Sequence, residues 1–313
     1  MDLKRVLWTI TAFCIVSAIV FAFLINISIK ENQISAQIVA VISTPQPSPT
    51  LTFTPVYTPQ ESQPFLTPNF NELSDFFSKL PYRDSISIFY HNLYSGFIFG
   101  FRDDLEYTSA SLNKASHAFY IYYLAENGMA DLERQHVLRA SDLRGGTGVI
   151  QFMPLGTVFT ERQLLAHSII DSDNIAFRIL VEAYANHEFS YHDFIESLGG
   201  NTELVRNITG RWFSAAEAGF VMEQIHNYLE SGGLYSEEFR YNLMVADAIL
   251  YPIHPAAQKY GHWREAFHTM SLVYSPSPFI LTILTNLGEY RYNFEIIEEI
   301  YSFIQYFNTK YFE

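Results

Sequence analysis

Ser111 and Lys114 are the residues of this sequence whose types and spacing could do covalent chemistry. They lie in the run YTSASLNKASHAFYIYYLAENGMAD, residues 107–131. Its apolar positions, among them Ala115, Phe119, Ile121, Tyr122 and Leu124, cover most of a helical circumference and predict a buried helix. Ser109 and Ser111 are expected at its start, since a serine oxygen can accept from the free N–H groups of a first turn, and Gly128 at its stop. A hydroxyl placed there lies beside backbone donors and the positive end of the dipole, where an oxyanion formed on attack is stabilised. Lys114 stands three residues on, on the same face. Desolvation or a neighbouring cation would lower its pKa, and the neutral amine could then take the serine proton. Alone the pair is a weak signal, because Ser-x-x-Lys arises by chance about once in a chain of this length.

The elements that must position this pair are legible around it. Phe70 to Leu80 has helical spacing and stops at Pro81. Ser85 to Tyr90 alternates, and Phe97 to Phe101 follows a loop with Gly96, which together predict a hairpin. Thr160 and Gln163 form a capping box ahead of LLAHSII. Asn174 to Ala185 reads as amphipathic, and Ser214 to Leu229 as a further helix. Ala266 to Tyr274 and Phe279 to Thr285 read as strands, with Tyr290 to Phe307 as a closing helix. Strands at both ends with helices between predict an α+β fold: one antiparallel sheet built from both ends of the domain, with an all-helical subdomain inserted.

The chain has 313 residues, 49% of them hydrophobic and 16% aromatic, enough for a sizeable core. Val6 to Ile29 is an uncharged run of membrane-spanning length. Lys4 and Arg5 precede it, so residues 1–5 are expected in the cytoplasm and the remainder outside, on a single-pass signal-anchor in the cell membrane. A cleaved signal peptide, with Ser35-Ala36 as its site, is the rival. Cys14, the single cysteine, lies inside the run, so no intrachain disulfide can form. Residues 30–69 read as a linker, and Thr44 to Pro68 gathers more than half of the 13 prolines into an extended, semi-rigid spacer. The folded domain is expected over 70–313, as a monomer. A net charge of −14 argues against a nucleic-acid partner, which needs clustered Lys and Arg.

Two further motifs give the first its meaning. Ser172-Asp173-Asn174 stands in HSIIDSDNIAFRIL, and Lys259-Tyr260-Gly261 just ahead of the expected strand 266–274. Ser-x-x-Lys, then Ser-Asp-Asn, then Lys-Thr-Gly is the order found in class A β-lactamases and penicillin-binding proteins. From about Ser85 to the C-terminus the chain resembles the class A group of that superfamily. The resemblance implies a β-lactamase/transpeptidase-like fold and a serine hydrolase that forms an acyl-enzyme at Ser111 with β-lactams or related amides. It further implies Lys114 as the base, Ser172 as proton donor to the leaving nitrogen, and Asn174 as a partner of the substrate amide and of Lys114. Lys259 would add positive potential across the cleft, with Tyr260 and Gly261 on the substrate side. The backbone N–H groups of Ser111 and His262 would make the oxyanion hole. Asp173 reads as a helix cap.

The sequence departs from that pattern twice. Tyr260 stands where the family carries Thr or Ser, so a bulky ring replaces a small hydroxyl that would meet a substrate carboxylate. Between Ser172 and Lys259 the chain is shorter than in class A enzymes, and the loop with their deacylating Glu is not recognisable. Glu203 is the nearest carboxylate, in an unmatched context. Without such a base an acyl-enzyme would form and hydrolyse slowly, which suits a penicillin-binding, peptidase-like enzyme on cell-wall peptides. A silent binding or scaffold domain is the alternative from another class. No cofactor or metal is implied: His254, His262 and His268 are close in sequence but match no ligand spacing. His117 reads as a core or cleft-lining side chain.

Overall fold

The structure is a computed structural model that describes residues 66–200 and 212–313. The expected anchor, most of the linker and Glu203 lie outside the described residues. Among the described residues no helix is long and apolar enough to cross a membrane.

Five strands form one antiparallel sheet in the order β2-β1-β9-β8-β7, with β1 Ile86–Asn92, β2 Ile98–Phe101, β7 Ala256–Trp263, β8 Ala266–Val273 and β9 Phe279–Thr285. β1 pairs with β9, Ile88 opposite Ile283, so the two ends of the domain meet at the centre of the sheet. Each face of the sheet carries a core. Ile86, Ile88 and Tyr90 join Leu73 and Phe77 of α1 (Phe70–Lys79) and Ile297, Ile300 and Ile304 of α8 (Arg291–Phe312). Phe89, one residue out of phase, belongs to the other core, as the two-residue period of a strand requires. That second core holds the inserted helices: α2 (Asn113–Glu126), α3 (Glu161–Ile170), α4 (Asn174–Tyr184), α5 (Tyr191–Ser197), α6 (Ala215–Glu230) and α7 (Ser236–Met244). Two small ribbons, β3 (Tyr107–Thr108) with β6 (Trp212–Phe213) and β4 (Gln135–Val137) with β5 (Val158–Thr160), complete the described fold.

The local signals read from sequence are realised where they were strong. Thr160 Oγ1 accepts from Gln163 N at 3.2 Å and Gln163 Oε1 from Thr160 N at 2.9 Å, closing the capping box. The closing helix runs past Phe307 to Phe312. Its last turn adds Tyr311 and Phe312 to the core, and Asn308 accepts from Tyr90 Oη at 2.7 Å and Asn92 Nδ2 at 2.8 Å in a buried polar network beside them.

The nucleophile helix is shorter than the sequence predicts. Tyr107–Thr108 is strand, paired with Phe213 and Trp212, and α2 begins at Asn113. Leu112 occupies the cap with no side-chain hydrogen bond, so neither Ser109 nor Ser111 caps the helix. Ser109 to Leu112 instead forms a tight turn that Leu112 N closes on Ser109 O at 3.0 Å, after Ala110 enters the left-handed region at φ 48°. The third motif also differs from expectation. It lies just ahead of the strand expected over 266–274, as the sequence indicated, but within a further strand, β7, that the sequence did not show, since Lys259 pairs with Met270 and Gly261 with His268. Buried polar residues Gln258 and Lys259 erase the alternation by which such a strand is recognised.

Candidate active site

Four separate pieces of backbone converge on one cavity of about 470 Å³. The turn before α2 supplies Ser109, Ala110 and Ser111, with Asn113 and Lys114 from the helix itself; the α3–α4 junction supplies Asn174, and β7 supplies His262 and Trp263. Phe177 of α4 and Gly146-Thr147 of a glycine-rich loop close the rest.

Local conformations fix these pieces. Ser172 adopts φ 51°, a left-handed geometry uncommon for a residue with a side chain, and turns the chain between α3 and α4. Asp173 then caps α4, its Oδ1 accepting from Ile175 N at 2.8 Å and Ala176 N at 2.9 Å while Oδ2 accepts from Ile150 N at 2.8 Å. Both of its oxygens thus accept structural hydrogen bonds, in keeping with the cap read from the sequence. The loop Gly145-Gly146-Thr147-Gly148 lies against this junction: Asn174 N donates to Thr147 O at 3.1 Å, and Thr147 Oγ1 to Ser172 O at 2.7 Å. A Cβ on Gly148 would fall 2.5 Å from the Asp173 Cα, so only glycine permits the approach. At Gly261 a Cβ would fall 2.9 Å from Ser109 O and 3.0 Å from Ser111 N. The glycine at the third position of the Lys-x-Gly motif is thus what lets β7 lie against the serine turn.

Lys114 is buried in α2 and is the hub of the hydrogen bonding. Its Nζ donates to Ser172 O, to Asn174 Oδ1 at 2.8 Å and to Ser172 Oγ at 3.3 Å. Burial pushes the amine down to about 7, against the opposing pull of Asp173. Lys259 Nζ reaches the same hydroxyl from β7, donating to Ser172 Oγ at 2.9 Å and to Tyr260 O at 3.1 Å. It is fully buried, and burial together with Lys114 holds it well below the ordinary lysine range. Ser172 Oγ, accepting from both amines, keeps its own proton for an acceptor in the cleft. Ser111 is partly exposed at the cavity wall.

Five of the eight residues singled out from sequence therefore meet within a few ångströms of one another or of the serine turn: Lys114, Ser172, Asn174, Lys259 and Gly261. Ser111 and His262 line the cavity beside them. Tyr260 does not line it; its ring packs against the α1–α8 core and lies 4.6 Å from the Lys259 ammonium. Other readings find their place as well. His117 is buried and stacked 3.9 Å from Tyr191, and burial pushes its imidazole down to about 3. His268 is buried too, with Nε2 2.8 Å from Thr108 O and Nδ1 accepting from Thr285 N, while His262 Nδ1 lies 3.3 Å from Glu289 Oε2. The fully buried Glu161 is engaged by Arg134, His136 and Tyr184 and is no part of the cavity. Sequence reading missed the 145–148 loop, whose three glycines in four residues were the available signal, and Phe177 and Trp263, which carried none.

A two-sided antiparallel sheet assembled from both ends of the domain, with a helical insertion bearing Ser-x-x-Lys and Ser-Asp-Asn, defines the β-lactamase-like fold. The family model described as Beta-lactamase enzyme family matches residues 70–302, and the chain belongs to that family. No curated protein matches it by sequence. Among solved structures it is similar to a β-lactamase from Sphaerobacter thermophilus, with 16% identity over 78% of this chain and 98% of that one at a TM-score of 0.66. Similar too are PBP-A, at 14% identity over 79% and 100% with a TM-score of 0.66, and a class A β-lactamase described as the last common ancestor of Gram-negative bacteria, at 18%, 75%, 98% and 0.64. At such identities the likeness is one of fold.

Proposed function

We propose that this chain is a membrane-anchored, extracytoplasmic serine acyl-transfer enzyme that forms a covalent ester at Ser111 with β-lactams or related amides. The observation that carries the reading is the Lys114 amine, buried one turn from Ser111 and pushed down to about 7 while held by Ser172 and Asn174. A neutral amine there takes the proton of Ser111 Oγ as the oxygen attacks the amide carbonyl. The carbonyl oxygen gathers negative charge beside the backbone N–H groups of Ser111 and His262. As the C–N bond breaks, Ser172 gives its proton to the leaving nitrogen and is reprotonated from Lys114 or Lys259. Among the described residues that line the cavity there is no carboxylate to activate water. That favours a long-lived acyl-enzyme, the penicillin-binding behaviour, over rapid hydrolysis.

Intact-mass spectrometry of the protein mixed with a penicillin and, separately, with an activated ester tests this. A stable adduct is expected that Ser111→Ala abolishes; product release within seconds would favour a hydrolytic β-lactamase, and silence toward both reagents would leave the scaffold reading. The location rests on Val6 to Ile29 following Lys4 and Arg5. External protease is expected to remove the domain from intact cells, and its full protection would exclude the outside placement.

A further inference from the structure

A run of exposed aromatic rings leads away from the acylation cavity at the end of β7. It starts at Trp263, which lines the cavity and is 53% exposed, with the Arg264 guanidinium stacked 4.4 Å from its ring. The chain turns there into β8, and Gly288 closes on the same turn, its N–H donating to Glu265 O at 2.7 Å. A carbon built on Gly288 would lie 3.6 Å from Arg264 O and 3.0 Å from Tyr290 Cε2, so the Tyr290 ring is the next surface after Arg264. Tyr290 is 60% exposed and precedes α8; its ring centroid lies 5.5 Å from that of Tyr292, and the two planes are 7° from parallel. Tyr82 is 59% exposed and lies on the Tyr292 ring at 5.3 Å.

These rings are arranged as steps. Carbon atoms in full contact sit about 3.5–4.0 Å apart, so near-parallel rings with centroids 5.5 Å apart are slipped, and Tyr290 and Tyr292 each keep part of a face uncovered. Tyr82, at the outer end, stands at φ 55°, a left-handed conformation uncommon for a bulky residue. Contiguous exposed aromatic surface rimmed by polar groups marks a binding site. The rim here consists of the tyrosine hydroxyls and of Glu265 and Glu289, exposed residues of the two turns that meet at Gly288.

A pyranose ring matches such a surface. Its faces carry C–H groups that pack on a flat ring, while the hydroxyls around its edge donate to phenols and carboxylates. A chain of such rings fits a row of steps, where a single small molecule would use one. We propose that Trp263, Tyr290, Tyr292 and Tyr82 form a binding path for a neutral oligosaccharide of pyranose rings, opening at Trp263 on the acylation cavity. On the acyl-serine reading a glycan on this path brings any acyl donor that it carries to Ser111; the path itself does not depend on that reading.

The test is isothermal titration of the full chain, held in lipid nanodiscs free of sugar-based detergent, with chitohexaose and separately with cellohexaose. Saturable binding of at least one is expected. Tyr290→Ala and Tyr82→Asn are each expected to weaken it about tenfold, on the scale of a base stacked on an aromatic side chain, and Tyr290→Phe to leave it unchanged. Asparagine tolerates the left-handed backbone at position 82, and melting temperatures check that each variant folds. Binding of both sugars assigns recognition to ring stacking, and binding of chitohexaose alone adds the acetamido groups. No binding of either by the wild type, or binding that both variants leave intact, overturns the proposal. Self-association that Tyr290→Ala abolishes, without sugar binding, overturns it too and gives the rings to a second copy of the chain. No acylation takes place in the titration, so each of these failures leaves the acyl-serine reading standing.

Discussion

Lys114→Met is expected to slow acylation of Ser111 by roughly 10²–10⁴-fold, the usual contribution of a positioned general base, while leaving the domain folded. Methionine fills nearly the same volume and replaces an amine that burial already holds down to about 7. The wild-type pH profile carries the same information. Below about 7 the amine is protonated and cannot accept, so the acylation rate is expected to fall about tenfold per pH unit; above it the rate levels off, and the variant lacks this inflection. The stability sign follows from linkage. An unfolded lysine titrates near about 10.4, so between about 7 and that value the unfolded chain holds a proton that the native state lacks. Stability from this group therefore rises with pH across the window, and Lys114→Met removes that part of the rise. Stopped-flow acylation and urea titrations at several pH values check both. Unchanged acylation in the variant would exclude Lys114 as the base.

Gly261→Ala is expected to damage acylation far more than folding. The added methyl would lie 2.9 Å from Ser109 O and 3.0 Å from Ser111 N, backbone atoms that cannot rotate away. Either β7 or the serine turn must shift, at a cost of about 1–3 kcal/mol for overpacking. The turn is the softer partner, because Leu112 provides no side-chain cap and Ala110 already sits at φ 48°, whereas β7 is paired with β8 along its length. Moving Ser111 N–H and Oγ by a fraction of an ångström to an ångström is expected to lower acylation about 10²-fold. Melting temperature and adduct formation, measured on the same sample, separate the two effects. Acylation at the wild-type rate would mean that the turn does not position the serine.

The sequence by itself determined the sheet-and-insertion architecture and the three motifs, because these rest on local signals. Apolar spacing, the Thr160 capping box and the turn residues act within a few positions of one another and survive in a one-dimensional reading. Asp173 was legible as a cap for the same reason. What only the tertiary structure decided depends on contacts between distant segments. Tyr107–Thr108 is strand through pairing with residues 212–213, a contact between distant segments that no local pattern shows. β7 was hidden because its polar residues are buried by partners from elsewhere: Lys259 by Ser172, 87 positions away in the chain. Serine capping failed at Ser109 and Ser111 because close approach of Gly261 accompanies a turn there rather than a capped helix start. The depressed lysines follow the same logic, for burial is a property of the packed domain, and no spacing rule reveals which amines will lose their water.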